Sequence, residues 1–356
     1  MDTGGGIGPA AGGASGRRDS ADPGLGPGVE FDLIRRFFPG GRHLSPRTDV
    51  LVGAGDDAAV VVGKNIVLSS DLSLEDIHFR RGWMTPREIG NRAAVAALSD
   101  LAAMAARPIG VLASLALSAG DATETAEEIM AGVSDAVEGV GGVLLGGDLS
   151  RSAGGIVLDI VAVGEVEVPV VRGGARDGDE LWVTGELGGA ALAVASLLRS
   201  EAPDTDAMQR FSAPVPRIGE ARWLAERGLP TAMLDLSDGL AGDARHIARA
   251  SGVAIILEPH LLPIHPSVRR SITDEREARA LALSGGEDYE LCFTAPEGVV
   301  IRYAAEFQRV WGIQLVRVGR VAAGEGVHTR EPSGQPIPLM VGGFQHFEDA
   351  GGIRGG

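Results

Sequence analysis

Residues 53–76, GAGDDAAVVVGKNIVLSSDLSLED, constrain this chain more than any other stretch. An acidic pair, Asp56 and Asp57, leads into the apolar run 58–62. Gly63, Lys64 and Asn65 follow, then the apolar run 66–68 and Ser69-Ser70-Asp71. Two short β-branched runs joined by three residues that include a glycine predict a hairpin. Symmetry about Lys64 sets Val62 against Ile66 and Asp57 roughly opposite Asp71. Directly opposed residues of an antiparallel pair lie within ~5.5 Å, and carboxylates that close repel unless a cation sits between them. Either the two acids are solvated strand ends or they hold a metal. The choice turns on whether other acids converge on them.

The chain of 356 residues is long for one core and predicts two domains, 30–167 and 168–348. The Gly-rich stretch 1–29 reads as a disordered tail and 349–356 as a flexible one. The N-terminal stretch lacks the apolar core of a secretory signal, and no apolar run approaches the ~20 residues that span a bilayer. A cytoplasmic protein without membrane contact is expected. A net charge of −16 argues against nucleic acid as a partner. It does not exclude phosphate, which acids bind through divalent metal. Cys292 is the only cysteine and Lys64 the only lysine. The first excludes an internal disulfide and a cysteine metal cluster. The second excludes a P-loop and the strand lysine of a protein kinase. Nucleotide phosphates would have to be held by metal, arginine and backbone N–H groups.

Further along, Thr85-Pro86 opens an Ala-rich helix to about residue 106, with Leu98, Leu101 and Ala105 on its buried stripe. Asp100 interrupts that stripe, and an unpaired buried carboxylate is costly, so it faces either water or a cation. Short helices are predicted at 30–38, 124–139 and 218–228, strands at 109–118 and 155–166, and a loop at 201–217. A strand ending in Gly146-Gly147-Asp148 is either a plain turn or a close approach of backbone to phosphate. The second domain opens with strand, glycine turn and helix in LWVTGELGGAALAV, which either aims a helix N-terminus at an anion or merely connects. In LDLSDGL a short strand carries Asp235, and Ser237 or Asp238 caps the next helix. In LSGGEDYEL a glycine turn leads through Glu287 into a strand; Cys292 on its far face has a structural role. His78 is either a packed residue or a ligand. Five acids, Asp57, Asp71, Asp100, Asp148 and Asp235, end strands or break apolar runs. Over two domains with no P-loop, they favour a shared magnesium site and phosphoryl transfer from a nucleotide.

These motifs together, GDDAAVV, SSDLSLEDIHF, NRAAVAALSDLAAMAA, GGDLSR, VTGELG, DLSDGL and LSGGEDYEL, resemble the thiamine-monophosphate kinase family. That family lies within the superfamily containing aminoimidazole ribonucleotide synthetase, and the resemblance covers about residues 30–348. It implies a two-domain α/β (α+β) fold. The N-terminal mixed sheet with helices pairs in a homodimer, and the C-terminal domain is α/β. It implies ATP-dependent phosphorylation of thiamine phosphate to thiamine diphosphate, the last step of that biosynthesis, with ATP as co-substrate and several Mg²⁺ ions. By motif, Asp57, Ser69, Ser70, Asp71, Asp100, Asp148, Asp235 and Asp238 resemble magnesium ligands, with Asp57, Asp71, Asp100 and Asp235 central to catalysis. Gly147, Asp148, Arg172 and Ser237 resemble ATP contacts, and His78, Glu287 and Phe344 substrate contacts. Ser70 stands where Thr is usual. Relatives that use a reactive or C-terminal cysteine do not match, because the chain has neither.

Overall fold

The computed structural model describes residues 47–52, 60–121, 123–332, 334–335 and 337–339, with positions 1 and 36 besides. Two short strands, β1 (Val50–Val52) and β2 (Val60–Val61), pair antiparallel. Four longer ones form a mixed sheet in the order β3 (Ile66–Leu74), β6 (Val157–Glu165), β4 (Arg107–Leu117), β5 (Val143–Arg151). Its β4–β5 pair is parallel and the rest antiparallel. Helices α1 (Pro86–Ala103) and α2 (Glu124–Gly139) cover one face.

The sequence of α1 explains its start. Thr85 Oγ1 accepts from the Glu88 N–H (3.3 Å), and the Glu88 carboxylate accepts from the Thr85 N–H (2.8 Å). This capping box satisfies two N-terminal donors, and Pro86 needs no donor there. Close approach of α1 to α2 is set by reciprocal glycines. A β-carbon on Gly90 would fall 1.9 Å from the Ile129 carbonyl oxygen, and one on Gly132 1.9 Å from that of Arg87.

The second sheet has seven strands in the order β13 (Ile337–Pro338), β12 (Gly326–Thr329), β9 (Ala254–Leu257), β11 (Leu315–Ala322), β7 (Glu180–Thr184), β10 (Leu291–Ala295), β8 (Ala232–Asp235). Only β12–β9 is parallel. Around it pack α3 (Gly189–Leu198), α4 (Thr205–Ser212), α5 (Ile218–Glu226), α6 (Leu240–Ser251), α7 (Pro266–Ser271), α8 (Glu275–Ser284) and α9 (Ala304–Trp311). One apolar core runs through both halves. α1 is the shared element, because it also packs on α5 and β8 of the second half. The mixed α/β architecture agrees with expectation. No helix among the described residues is long and apolar enough to cross a membrane.

Three local expectations differ. The 58–68 hairpin does not form: β2 pairs with β1, and the Val62 N–H donates to Asp49 O (2.8 Å), while β3 pairs along its length with β6. The turn itself exists, with Asn65 at φ 51°. Two short runs leave register and partner weakly specified, and the nine-residue β3 finds a longer match in β6. Next, β5 does not stop at Gly146-Gly147-Asp148 but continues in parallel register with β4 to Arg151. It can do so because Gly147 lies against Ala113, whose carbonyl oxygen would be 1.8 Å from a β-carbon. Finally, the stretch 201–217 contains α4, capped by Asp204 through the N–H groups of Asp206 and Ala207. Asp57, Phe344 and the 30–38 helix apart from Arg36 lie outside the described residues.

Candidate active site

Strand periodicity decides which side chains of β3 meet the helices. Residues 69, 71 and 73 point toward α1, whereas Leu68, Ser70 and Leu72 point away. Ser69 Oγ donates to Asp100 on α1. Beside Asp100, the fully buried Ser99 donates to Asp235 Oδ2 at the end of β8 (2.7 Å). Two consecutive residues of α1 thus tie Asp235 of one half to β3 of the other. Asp71, Asp100 and Asp235 converge at the junction of the two halves. Burial pushes the Asp71 carboxyl up to about 6, with Asp100 and Glu287 adding like charge. Asp235 is likewise raised to about 6 by burial and then by Asp100, against the opposing Ser99 bond and the Arg172 charge.

A second cluster adjoins it at the start of α6. Asp238, Asp243 and His246 each offer a ligand atom, all within 4.8 Å of one another. Burial raises Asp243 to about 8, with Asp238 and Asp235 contributing. Burial and Arg172 hold His246 low, which keeps the imidazole neutral and able to donate a lone pair. Neither Ser237 nor Asp238 caps α6. Gly239 is the N-cap, at φ 97°, with no side-chain cap, and the Asp243 carboxylate accepts the Asp238 N–H of the preceding turn (3.1 Å). Gly239 admits no side chain, since a β-carbon would meet the Ser284 backbone at 2.8 Å. The LSDG and SGGE turns are locked together there, with Glu287 N–H donating to Ser237 O (2.9 Å) and Tyr289 N–H to Leu236 O (2.8 Å). Asp243 and His246 were missed in the sequence. Their i, i+3 spacing directly after DLSDG was the available signal.

The remaining candidates divide. Glu287, at φ 72°, forms an ion pair with Arg92 of α1 and accepts from Tyr289 Oη (2.9 Å). Arg172 lies close enough to Asp235 and His246 to act on both. His78 Nδ1 accepts the Leu74 N–H (3.0 Å) in the turn after β3. Ser70 and Asp148 stand on the opposite face of the sheet from Asp71. Register places Asp148 in a row with Ser114, Asp159 and Leu72, and Ser70 Oγ donates to Asp159 Oδ1 (2.9 Å). Three strand spacings of ~4.8 Å separate β5 from β3. Within one described chain, Gly147 and Asp148 therefore do not reach the Asp71–Asp100–Asp235 cluster.

The helix N-terminus after VTGELGG also finds its anion within the chain. The Gly188 N–H donates to both oxygens of Asp288 (3.1 and 2.9 Å), whose carboxyl burial raises to about 7. What the cleft offers is a set of oxygen donors with too little positive charge among them. Such donors suit a hard divalent cation.

Comparison with known proteins identifies relatives of the whole fold. The AIR synthase related protein N-terminal domain matches residues 55–166, and the corresponding C-terminal domain residues 176–330. The thiamine-monophosphate kinase of Rhodopirellula baltica is 34% identical over 311 residues, 84% of this chain and 92% of its own. The crystal structure of thiamine-monophosphate kinase from Stenotrophomonas maltophilia has 33% identity and a TM-score of 0.74, over 86% of this chain and 96% of that one. AaThiL complexed with AMPPCP and TMP has 30% identity and a TM-score of 0.68, over 79% and 87%. This chain belongs to the thiamine-monophosphate kinase family of AIR synthase related proteins.

Proposed function

We propose that this protein transfers the terminal phosphate of ATP directly to thiamine phosphate, giving thiamine diphosphate and ADP. The observation that carries the reading is the convergence of Asp71, Asp100 and Asp235 from two halves of the chain, tied by Ser69 and Ser99. On this reading Asp57, Ser69, Asp71, Asp100, Asp235 and Asp238 hold Mg²⁺ in the cleft. Ser70 and Asp148, on the outer face of the sheet, would contribute only where a second copy of the chain brings that face to a cleft. Asp243 and His246 extend the set at α6. Bound there, divalent cations would supply charge neutralisation for the phosphates and for the transition state.

The protein's own groups do the rest by placement. Arg172 and Ser237 hold ATP in the cleft, joined by the backbone at Gly147 and by Asp148 where a second copy supplies them. His78, Glu287 and Phe344 hold thiamine phosphate, whose cationic thiazolium suits both a carboxylate and an aromatic face. The attacking phosphate oxygen is already ionised near neutral pH, its second pKa being ~6. The chain therefore needs no strong general base, no nucleophilic side chain and no covalent enzyme intermediate. Alignment in the cleft and electrostatics carry the rate.

The same reading makes the protein a cytoplasmic homodimer. The outer face of β3 leaves Leu68 66% and Leu72 47% exposed, an apolar row that a second copy would bury. Because Ser70 and Asp148 share that face, pairing would also place them at the interface. ADP release with ATP and Mg²⁺ tests the activity, comparing thiamine phosphate with thiamine and identifying product by mass. Thiamine diphosphate formed from the monophosphate is the expected result. Turnover of a different acceptor alone would overturn the substrate assignment.

A further inference from the structure

We infer that Arg92 is a positioning residue for substrate recognition, holding Glu287 in the cleft by a contact that spans the two halves of the protein. The inference rests on the proposed kinase reading for the identity of the ligand. α1 carries Arg92 into a place where a charge is expensive to put: the residue is 4% exposed. A buried guanidinium is tolerated only when its surroundings compensate it. Here the compensation comes from the second half of the chain. Glu287 supplies the counter-charge, and the Phe211 ring lies 4.7 Å from the guanidinium carbon, a cation–π contact. Phe211 is in turn met edge-on by Trp83, with centroids 6.3 Å apart. Arg92 Nε is buried with no hydrogen-bond partner. An aliphatic side chain would fill this space at lower cost, so packing alone does not account for an arginine.

Glu287 provides an independent observation. Its backbone sits at φ 72° and that of Tyr289 at φ 49°, left-handed conformations that disfavour side-chain-bearing residues. Tyr289 Oη donates to the same carboxylate that Arg92 neutralises. Two strained residues and a buried cation therefore converge on the orientation of one side chain. Without Arg92, Glu287 would lose the ion pair that ties it to α1 and would be free to swing out of the cleft. The cationic thiamine moiety would then lose its carboxylate partner, while the groups assigned to ATP would be untouched.

Steady-state kinetics and calorimetric binding of thiamine phosphate to the full-length protein test this. The variants are Arg92→Gln, Arg92→Lys, Glu287→Gln and the Arg92→Gln/Glu287→Gln double. Arg92→Gln should raise the KM for thiamine phosphate by ~10-fold or more and leave the KM for ATP within ~2-fold. Arg92→Lys keeps the charge without the planar fork and should recover part of the loss. The double variant should be no worse than Glu287→Gln alone, because the two residues act as a unit. Equal rises in both KM values, or additive losses in the double variant, would overturn the assignment. Should Arg92→Gln fail to fold, Arg92→Lys decides alone, and wild-type affinity for thiamine phosphate in that variant refutes the role. If the wild type neither binds thiamine phosphate nor releases ADP with it, the kinase reading falls and this role falls with it.

Discussion

Two groups of buried or half-buried acids in this molecule have opposite surroundings. Glu290 is wholly buried, yet it accepts from Arg217 Nε (2.7 Å), Thr184 Oγ1 (2.7 Å) and Arg210. Burial pushes its carboxyl up, but Arg217 and Arg210 outweigh that and hold it below the usual range. Glu258 behaves alike between Arg317 (2.7 Å) and Arg330. Asp71 and Asp235 instead share their surroundings with Asp100, and Asp235 takes one Ser99 hydroxyl bond. Burial and like charge raise both to about 6, against weaker opposing charge from Arg92 and Arg172. An acid matched by guanidinium donors holds the fold together. An acid left facing other acids is poised for a ligand. The distinction separates scaffold from site although Glu290 of SGGEDYEL and Asp235 of DLSDGL both stand in acidic motifs.

The largest effect should come from the unmatched group. Asp71→Asn or Asp235→Asn should lower turnover by ~10²–10³-fold or more while the folded structure persists. Circular dichroism and thermal melting run beside the assay separate lost chemistry from lost fold. The matched group should answer the other way. Glu290→Gln takes the nearest counter-charge from Arg210 and leaves Arg217 with Glu220 alone (3.3 Å), and should cost ~3–5 kcal/mol of stability, read from denaturant midpoints.

Protonation offers a third way to divide the two groups. Folded-state values of about 6 for Asp71 and Asp235 exceed their unfolded values, so the folded protein binds the extra protons. Their stabilising contribution is present below the unfolded pKa of ~3.9 and is lost as pH rises through about 6. Asp288 at about 7 and Asp243 at about 8 extend the same trend upward. Metal-free protein should melt at a higher temperature at pH 5 than at pH 7.5, and Asp71→Asn should flatten part of that slope. A melting temperature that rises steadily from pH 5 to 7.5 would contradict the like-charge account. The smallest effect is expected at Cys292, fully buried in β10, where burial holds the thiol far above its usual pKa. Cys292→Ser should keep turnover within ~2-fold, because a thiol held protonated supplies no nucleophile.

Much of this was legible in the residues. Thr85-Pro86 marked the start of α1, and isolated acids at strand ends or in apolar runs marked Asp71, Asp100 and Asp235. Pairing partners were not legible. The runs around Lys64 fit a hairpin as well as two different sheets, and only the long match between β3 and β6 decides between them. The helix at 205–212 was hidden among prolines. Arg92 gave no signal in sequence, since an arginine near a helix N-terminus usually points to water. Asp288 shows the converse difficulty. It stands beside Glu287 in one motif, yet it serves the N-terminus of α3 while Glu287 crosses to α1. The left-handed backbone that sends neighbouring side chains apart is not visible in composition.

The most direct test of the central claim is a calorimetric titration of metal-free protein with Mg²⁺ at pH 7.5, in the presence of a non-hydrolysable ATP analogue. The unmatched acids should bind the cation in the wild type and lose that binding in Asp71→Asn and Asp235→Asn, while Arg317→Gln, which alters only a matched acid, binds as the wild type does. Mg²⁺ binding that is unchanged by both aspartate substitutions would contradict the assignment of the cleft as the cation and phosphate site.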